Sequence, residues 1–500
     1  MQLDAKVVGG RVVTPDGTLR IGIGIQDGRI AMLAPDDLLP HAKETIGANG
    51  RVVIPGVVDP ESHPGHTEPW TLDAQTETKA AAATGITTWG IQSPSSRFGQ
   101  ASYRFDGDPS QSVSFHEVFE HGRDTFEANS TIDFFFTFQL EGDLQANEIP
   151  EYARRYGVTS YKFYGQWKKP ELDHFGVAAA NGLVLGWDDG TFLTALEKIV
   201  EVGSPAIVSF HPENWEISRM YEERLRRAGR TDMAAWDERS PGFVEAHHLR
   251  TLTYLAKVTG APVYAQHCTN AKTLDEVRRA RDLGVELYVQ SGPSWLYLHR
   301  DEAKIMPPLR GTADSEALWA ALRAGEIDAL GSDHVVARLT RAQLSPESQD
   351  VWTTKGTAYG SRAEMHLPIM LHEGVNKGRL SIERVVKVLC ENPARIFGVY
   401  PKKGVIAVGS DADLVLVDLD REMEVTDEMM LTRPGWTLLR GRVMKGFPVL
   451  TMLRGRIIAR WAEGAARPEV FGAPTGRYLP RTLGGPKARR TSPEFASGVS

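Results

Sequence analysis

Eight short apolar runs punctuate the middle of the chain, at 56–59, 85–91, 132–139, 158–164, 206–211, 262–267, 285–290 and 327–332. Between many of them the apolar positions recur at helical spacing, as in Thr273-Leu274-Asp275-Glu276-Val277-Arg278-Arg279-Ala280-Arg281. Short runs without strict alternation suit strands buried on both faces, and strand–helix alternation at this count predicts a parallel (β/α)₈ barrel. The flanks read differently. From Lys6 to Val58 the text alternates in short β-like runs with turn punctuation, Asp27-Gly28 being a hairpin signal. Matching β text returns at Ala412-Asp413-Leu414-Val415-Leu416-Val417 and Met452-Leu453-Arg454-Gly455-Arg456-Ile457-Ile458. The two ends are therefore expected to pair into one small β-sandwich interrupted by the barrel. The expected divisions are 1–55, 56–400 and 401–465, with a polar stretch at 466–500 read either as a disordered tail or as an arm ordering against a neighbouring subunit.

Residues able to bind a divalent metal sit at the downstream ends of five runs. They read Asp59-Pro60-Glu61-Ser62-His63, Tyr161-Lys162-Phe163-Tyr164, Phe210-His211-Pro212-Glu213-Asn214, Ala265-Gln266-His267 and Gly331-Ser332-Asp333-His334. A barrel brings distant residues to one rim in this way. A doubly wound open sheet would leave ligand-type residues at so many strand ends unexplained. Imidazole and carboxylate suit zinc, manganese and similar ions, which lower the pKa of bound water to ~7. A lone histidine is more often a satisfied core residue, but His63, His211, His267 and Asp333 at corresponding ends of different strands read as one site. Lys162 has two readings: a lysine salt-bridged inside the barrel, or a carbamate formed with carbon dioxide whose two oxygens bridge two cations. Asp333 reads as a ligand and as the general base returning a proton to the leaving nitrogen, against a structural aspartate capping its loop; His334 is expected to orient it.

Composition narrows the class. The chain has 500 residues, 41% of them hydrophobic, enough for one large domain and a smaller one. Its net charge of −7, with Lys and Arg spread along the sequence, carries no nucleic-acid or membrane footprint, so a small-molecule substrate is expected. Two cysteines, Cys268 and Cys390, exclude a Cys₄ zinc site and a disulfide framework. No stretch approaches the ~20 apolar residues of a membrane span, and Met1-Gln2-Leu3-Asp4-Ala5-Lys6 has no signal pattern, so a cytoplasmic protein is expected.

Read together, these residues resemble the amidohydrolase superfamily in its dihydropyrimidinase and hydantoinase branch, with allantoinase and dihydroorotase as relatives. The resemblance runs from Val53-Ile54-Pro55-Gly56 through Thr159-Ser160-Tyr161-Lys162, His211-Pro212-Glu213-Asn214 and Met306-Pro307-Pro308-Leu309-Arg310 to Asp333-His334. It continues through Asn392-Pro393-Ala394-Arg395-Ile396-Phe397-Gly398 and Gly409-Ser410-Asp411-Ala412-Asp413. It implies a (β/α)₈ barrel with a flanking β-sandwich, and ring-opening hydrolysis of a cyclic amide, imide or ureide by metal-bound hydroxide. It also implies two divalent metals per subunit and a homotetramer or dimer. Carried over, Lys162 is the bridging carbamate, His211 and His267 hold one metal, and His63 and Asp333 hold the other.

This chain departs from that pattern in four places. Glu61 stands where the strand-one motif has its first histidine; it either binds a harder ion such as manganese or leaves that position weak, with His66 a less favoured substitute. Trp167 replaces the tyrosine that donates to the oxyanion, with Tyr164 as an alternative donor. Ser291 and Gly292 fall in the substrate-contacting segment with altered side chains. Gly65 occupies the place of the arginine that dihydroorotases use for a carboxylate. Trp70, Trp89, Trp167 and Trp295 near the expected rim suggest an aromatic or apolar substrate, unless they are core residues. Two other functions stay open: a metal-dependent hydrolase of a linear amide or carbamate, and a catalytically silent scaffold.

Overall fold

In the computed structural model, residues 2–66, 69–93, 114–164, 187–336, 350–352 and 362–485 are described. All eight apolar runs become strands: β1 (Val57–Ser62), β2 (Ile86–Ser93), β3 (Asp133–Gln139), β4 (Ser160–Phe163), β5 (Ile207–Phe210), β6 (Val263–Ala265), β7 (Leu287–Ser291) and β8 (Ala329–Leu330). Each pairs in parallel with its sequence neighbour, in the order β1 to β8. The ring closes by a parallel bridge between Ser62 and His334, where the His63 N–H donates to the His334 carbonyl at 2.8 Å. The (β/α)₈ barrel is thus present.

Side-chain alternation decides what faces the lumen. Val58, Phe135, Ile207, Tyr264, Tyr288 and Ala329 form one buried cluster inside the barrel floor with Phe397 and Leu479. Tyr161 and Phe163 of β4 join the separate cluster beneath the outer helices, so the period of two turns Ser160 and Lys162 inward. Four of the covering helices are Asp189–Val202, Gly242–Thr259, Ala271–Asp282 and Thr312–Arg323. The third matches the helical text at 273–281, and its N-cap Asn270 accepts from the Thr273 N–H.

Both chain ends build the flanking β structure. One sheet holds Arg29–Ala34, Gly22–Gln26, Leu3–Val8 and Ala42–Gly47; the other runs Glu469–Val470, Arg456–Arg460, Val443–Leu453, Leu414–Glu424, Val52–Pro55, Arg11–Thr14 and Gly17–Leu19. The N-terminal Val52–Pro55 pairs antiparallel with Leu414–Val417, and Val7, Ile23 and Ile25 share one core with Val53, Leu414 and Met452. The Asp27-Gly28 turn joins its hairpin with φ of 52° and 75°, the double positive that a type I′ turn requires.

The stretch from 469 to 485 differs from both readings of the tail. Glu469–Val470 adds a strand to the flanking sheet, and the residues beyond it pack on this chain's own barrel: Tyr478 bridges to Phe134, and Leu479 lies in the barrel floor. Arg481 is buried and donates to the Phe136 carbonyl at 2.6 Å and the Thr159 hydroxyl at 3.2 Å. Backbone pairing and one arginine hold it, which a count of apolar residues does not register. Residues 486–500 lie outside the described ones.

Beneath the barrel, Lys403 is wholly buried with its ammonium 2.5 Å from Asp133, 2.6 Å from Asp413 and 2.9 Å from Asp411. Arg454 pairs with Asp133 from the sandwich side. Burial alone would lower the Lys403 pKa; the three carboxylates reverse that and raise it.

Candidate metal centre

The strand ends bring six of the expected side chains together. Glu61 Oε1 lies 3.6 Å from Lys162 Nζ, 3.6 Å from His267 Nε2 and 3.9 Å from His63 Nε2. His63 Nε2 is 3.1 Å from Asp333 Oδ1, and His211 Nδ1 is 3.2 Å from His267 Nε2. Ligand atoms of Glu61, His63 and Asp333 fall within 4.8 Å of one another. Two of these residues, His267 (φ 31°) and Asp333 (φ 49°), hold left-handed backbone conformations that cost energy without glycine, as is common at working sites.

Electrostatics suit a cation. Burial lowers the His267 pKa to about 3, leaving a neutral imidazole with a free lone pair. Burial also lowers Lys162 to about 8. Burial would raise Glu61, but the facing His267 and Lys162 outweigh it and hold the carboxyl below its usual value. Asp333 is likewise pushed up by burial and brought far below the carboxylate range by Arg362 and His63. Glu61 Oε1 and Lys162 Nζ are buried with no hydrogen-bond partner among the described residues. The orphaned Glu61 oxygen, amid imidazoles and the Asp333 carboxylate, is one a divalent ion would satisfy, so these residues fit a metal; the Lys162 ammonium has no lone pair and would join such a set only once converted to a carbamate.

The surrounding residues orient these groups. Glu213 Oε2 sits 3.1 Å from His211 Nε2, which holds the proton there and leaves Nδ1 to face the site. Arg239 Nη2 backs Glu213 at 3.4 Å, with its guanidinium stacked 3.7 Å over Trp236. Glu213→Ala is expected to weaken metal binding by about 10–100-fold, read by chelator competition; an unchanged affinity would remove Glu213 from the centre. Tyr164 Oη lies 3.1 Å from His63 Nδ1, placing this expected substrate-binding residue beside the cluster.

Other expectations fare differently. His334 does not contact Asp333 through its side chain: its ring meets Glu77 at 3.0 Å and stacks on Trp89. Arg362 takes that place, donating to Asp333 Oδ2 at 2.6 Å. Three of the tryptophans are core residues. Trp70 packs on Phe126, Trp89 donates to Asp59 at 2.9 Å, and Trp295 donates to the Pro307 carbonyl, its ring 5.8 Å from that of His267. Trp295 walls the His267 side of the cluster. His66 stays apart from the ligand cluster, its ring 6.0 Å from that of His63 and its pKa lowered by burial to about 3. Ser291 and Gly292 sit where β7 meets β8; a Cβ on Gly292 would lie 2.6 Å from the Gly331 carbonyl. Trp167 lies outside the described residues.

Sequence reading missed Arg362 and Glu77, and gave Gln290, Glu213 and Asp59 no role of their own. Local signals existed for Glu213 in His211-Pro212-Glu213-Asn214, for Asp59 in Asp59-Pro60-Glu61-Ser62-His63 and for Gln290 just before Ser291-Gly292. Asp59 accepts from the Ser332 N–H at 2.9 Å, pinning the Asp333 loop to strand β1.

Among the described residues no helix is long and apolar enough to cross a membrane. Residues 240–457 match the model of the amidohydrolase family. The chain is 31% identical to an L-hydantoinase of Paenarthrobacter aurescens, over 91% of this chain and 94% of that protein. It is 27% identical to an allantoinase of Bacillus licheniformis, over 96% of this chain and all of that protein. Its fold superposes on the structure of an L-hydantoinase (dihydropyrimidinase) from Arthrobacter aurescens with a TM-score of 0.79 at 28% identity, covering 95% of this chain and 99% of that one. With the barrel, the strand-end cluster and near-full-length similarity in agreement, this chain belongs to the amidohydrolase family, in its hydantoinase-like branch.

Proposed function

We propose that the protein is a metal-dependent hydrolase that opens a cyclic amide, imide or ureide at a C–N bond. The observation that carries this reading is the convergence of Glu61, His63 and Asp333 at one barrel rim with Lys162, His211 and His267 beside them. Two divalent ions, zinc or manganese, would be held by His211 and His267 on one side and by Glu61, His63 and Asp333 on the other. Lys162 would join both as a carbamate formed with carbon dioxide. When bound, such ions supply Lewis acidity that polarises a carbonyl and acidifies water.

The chain's own groups do the rest. Asp333 is fixed by Arg362 through Oδ2, so Oδ1 is the atom that takes the proton of the attacking water and returns it to the leaving ring nitrogen. The Tyr164 hydroxyl, beside His63 Nδ1, would donate to the developing oxyanion in place of the usual tyrosine. The active form is a homo-oligomer, as in the branch it resembles.

Chelator-stripped protein should lose ring opening of hydantoins, dihydropyrimidines, imides and allantoin-like ureides, and regain it with Mn²⁺ or Zn²⁺ plus bicarbonate. Loss of ring absorbance in the ultraviolet reports the reaction. Full activity without metal, or hydrolysis of linear amides alone, would overturn the proposal.

A further inference from the structure

A glutamate at position 61 brings a requirement that an imidazole there would not. Its carboxylate has two oxygens, and a buried carboxylate oxygen without a donor is costly. Glu61 Oε2 accepts from Gln290 Nε2, and Gln290 Oε1 accepts from the Tyr264 hydroxyl at 2.7 Å. Glu61, Gln290 and Tyr264 are all wholly buried. The orientation of the amide is fixed by chemistry: an ionised carboxylate only accepts, so the NH₂ must face Glu61 and the carbonyl oxygen must face the tyrosine O–H. Strand β8 contributes by omission, since a Cβ at Gly331 would sit 2.5 Å from Gln290 Nε2.

The relay therefore occupies one carboxylate oxygen and leaves the other, Oε1, as the atom 3.6 Å from His267 Nε2 and 3.9 Å from His63 Nε2. These histidines belong to the two halves of the centre. We propose that Gln290, anchored by Tyr264, is a positioning residue that makes Glu61 a working metal ligand by aiming Oε1 at the point between His63 and His267. This rests on the reading that the rim holds divalent metal.

The test is titration of the chelator-stripped full-length protein and its variants with Mn²⁺, free ion being followed by electron paramagnetic resonance and the fold by melting. Gln290→Met removes the donor while conserving bulk, and should weaken Mn²⁺ binding by about 10–100-fold. In a Glu61→Ala background the same substitution should cause no further weakening. Folded Gln290→Met that binds like the parent, or an equal loss with alanine at 61, overturns the proposal. If Gln290→Met does not fold, Tyr264→Phe is read instead: it keeps the amide and removes only the anchor, so weaker binding supports the relay and unchanged binding overturns it. A parent protein that binds no Mn²⁺ overturns the metal reading and this one with it.

Discussion

Asp333→Asn is expected to reduce kcat/KM for ring opening on the order of 10⁴-fold while leaving the fold intact. Asparagine is among the few residues that accept the left-handed φ of 49° found at this position, so the backbone has no reason to move. Its shape also matches. The change is chemical: the buried oxygen 3.1 Å from His63 Nε2 loses the charge that binds a cation and the basicity that carries a proton. Arg362, with 2% of its side chain exposed, keeps only a neutral partner at 2.6 Å. Steady-state kinetics beside a melting curve check this. A folded variant losing less than about 10²-fold, the lower end for a general base, would take the proton from Asp333 and give it to another group.

Lys403→Met should cost about 3–5 kcal/mol of stability, the range for removing one partner from a buried ion network. The three carboxylates within 2.9 Å of its ammonium would face one another without a cation, except for Arg454 on Asp133. Asp133 opens strand β3, whereas Gln139 at the other end of that strand pairs beside Lys162. The lesion is thus at the floor of the barrel and the chemistry at its rim, so the activity of the molecules that remain folded should persist. Urea unfolding measures the effect; a loss below about 1 kcal/mol would make the network no stronger than a surface pair.

These two positions also mark how far the sequence could be read. Asp333 was legible because a strand end followed by Ser-Asp-His is a local pattern, and His63, His211 and His267 were legible for the same reason. Lys403 was passed over although it lies close to the Gly409-Ser410-Asp411-Ala412-Asp413 motif, because Asp133, its third partner, is 270 residues away. Trp89 read either as a rim aromatic or as a core residue, and its indole N–H, donating to Asp59, favours the core. The 466–500 stretch read as unable to fold alone, either a disordered tail or an arm on a neighbouring subunit, yet backbone pairing and Arg481 dock its 469–485 part on this chain.

The sequence by itself determined the eight strands, the β-sandwich built from both ends and the ligand types at the rim. Each depends on the two-residue alternation of a strand, the spacing of a helix or the chemistry of one side chain, all local properties. Only the tertiary structure decided which atom each ligand offers. Gln290 meets Glu61 across 229 residues, His334 turns to Glu77 across 257, and Arg362 takes up Asp333 from a different segment. Closing the barrel sets those meetings, because strands far apart in the chain become neighbours only when the ring is complete, and no local pattern encodes which side chains then face each other.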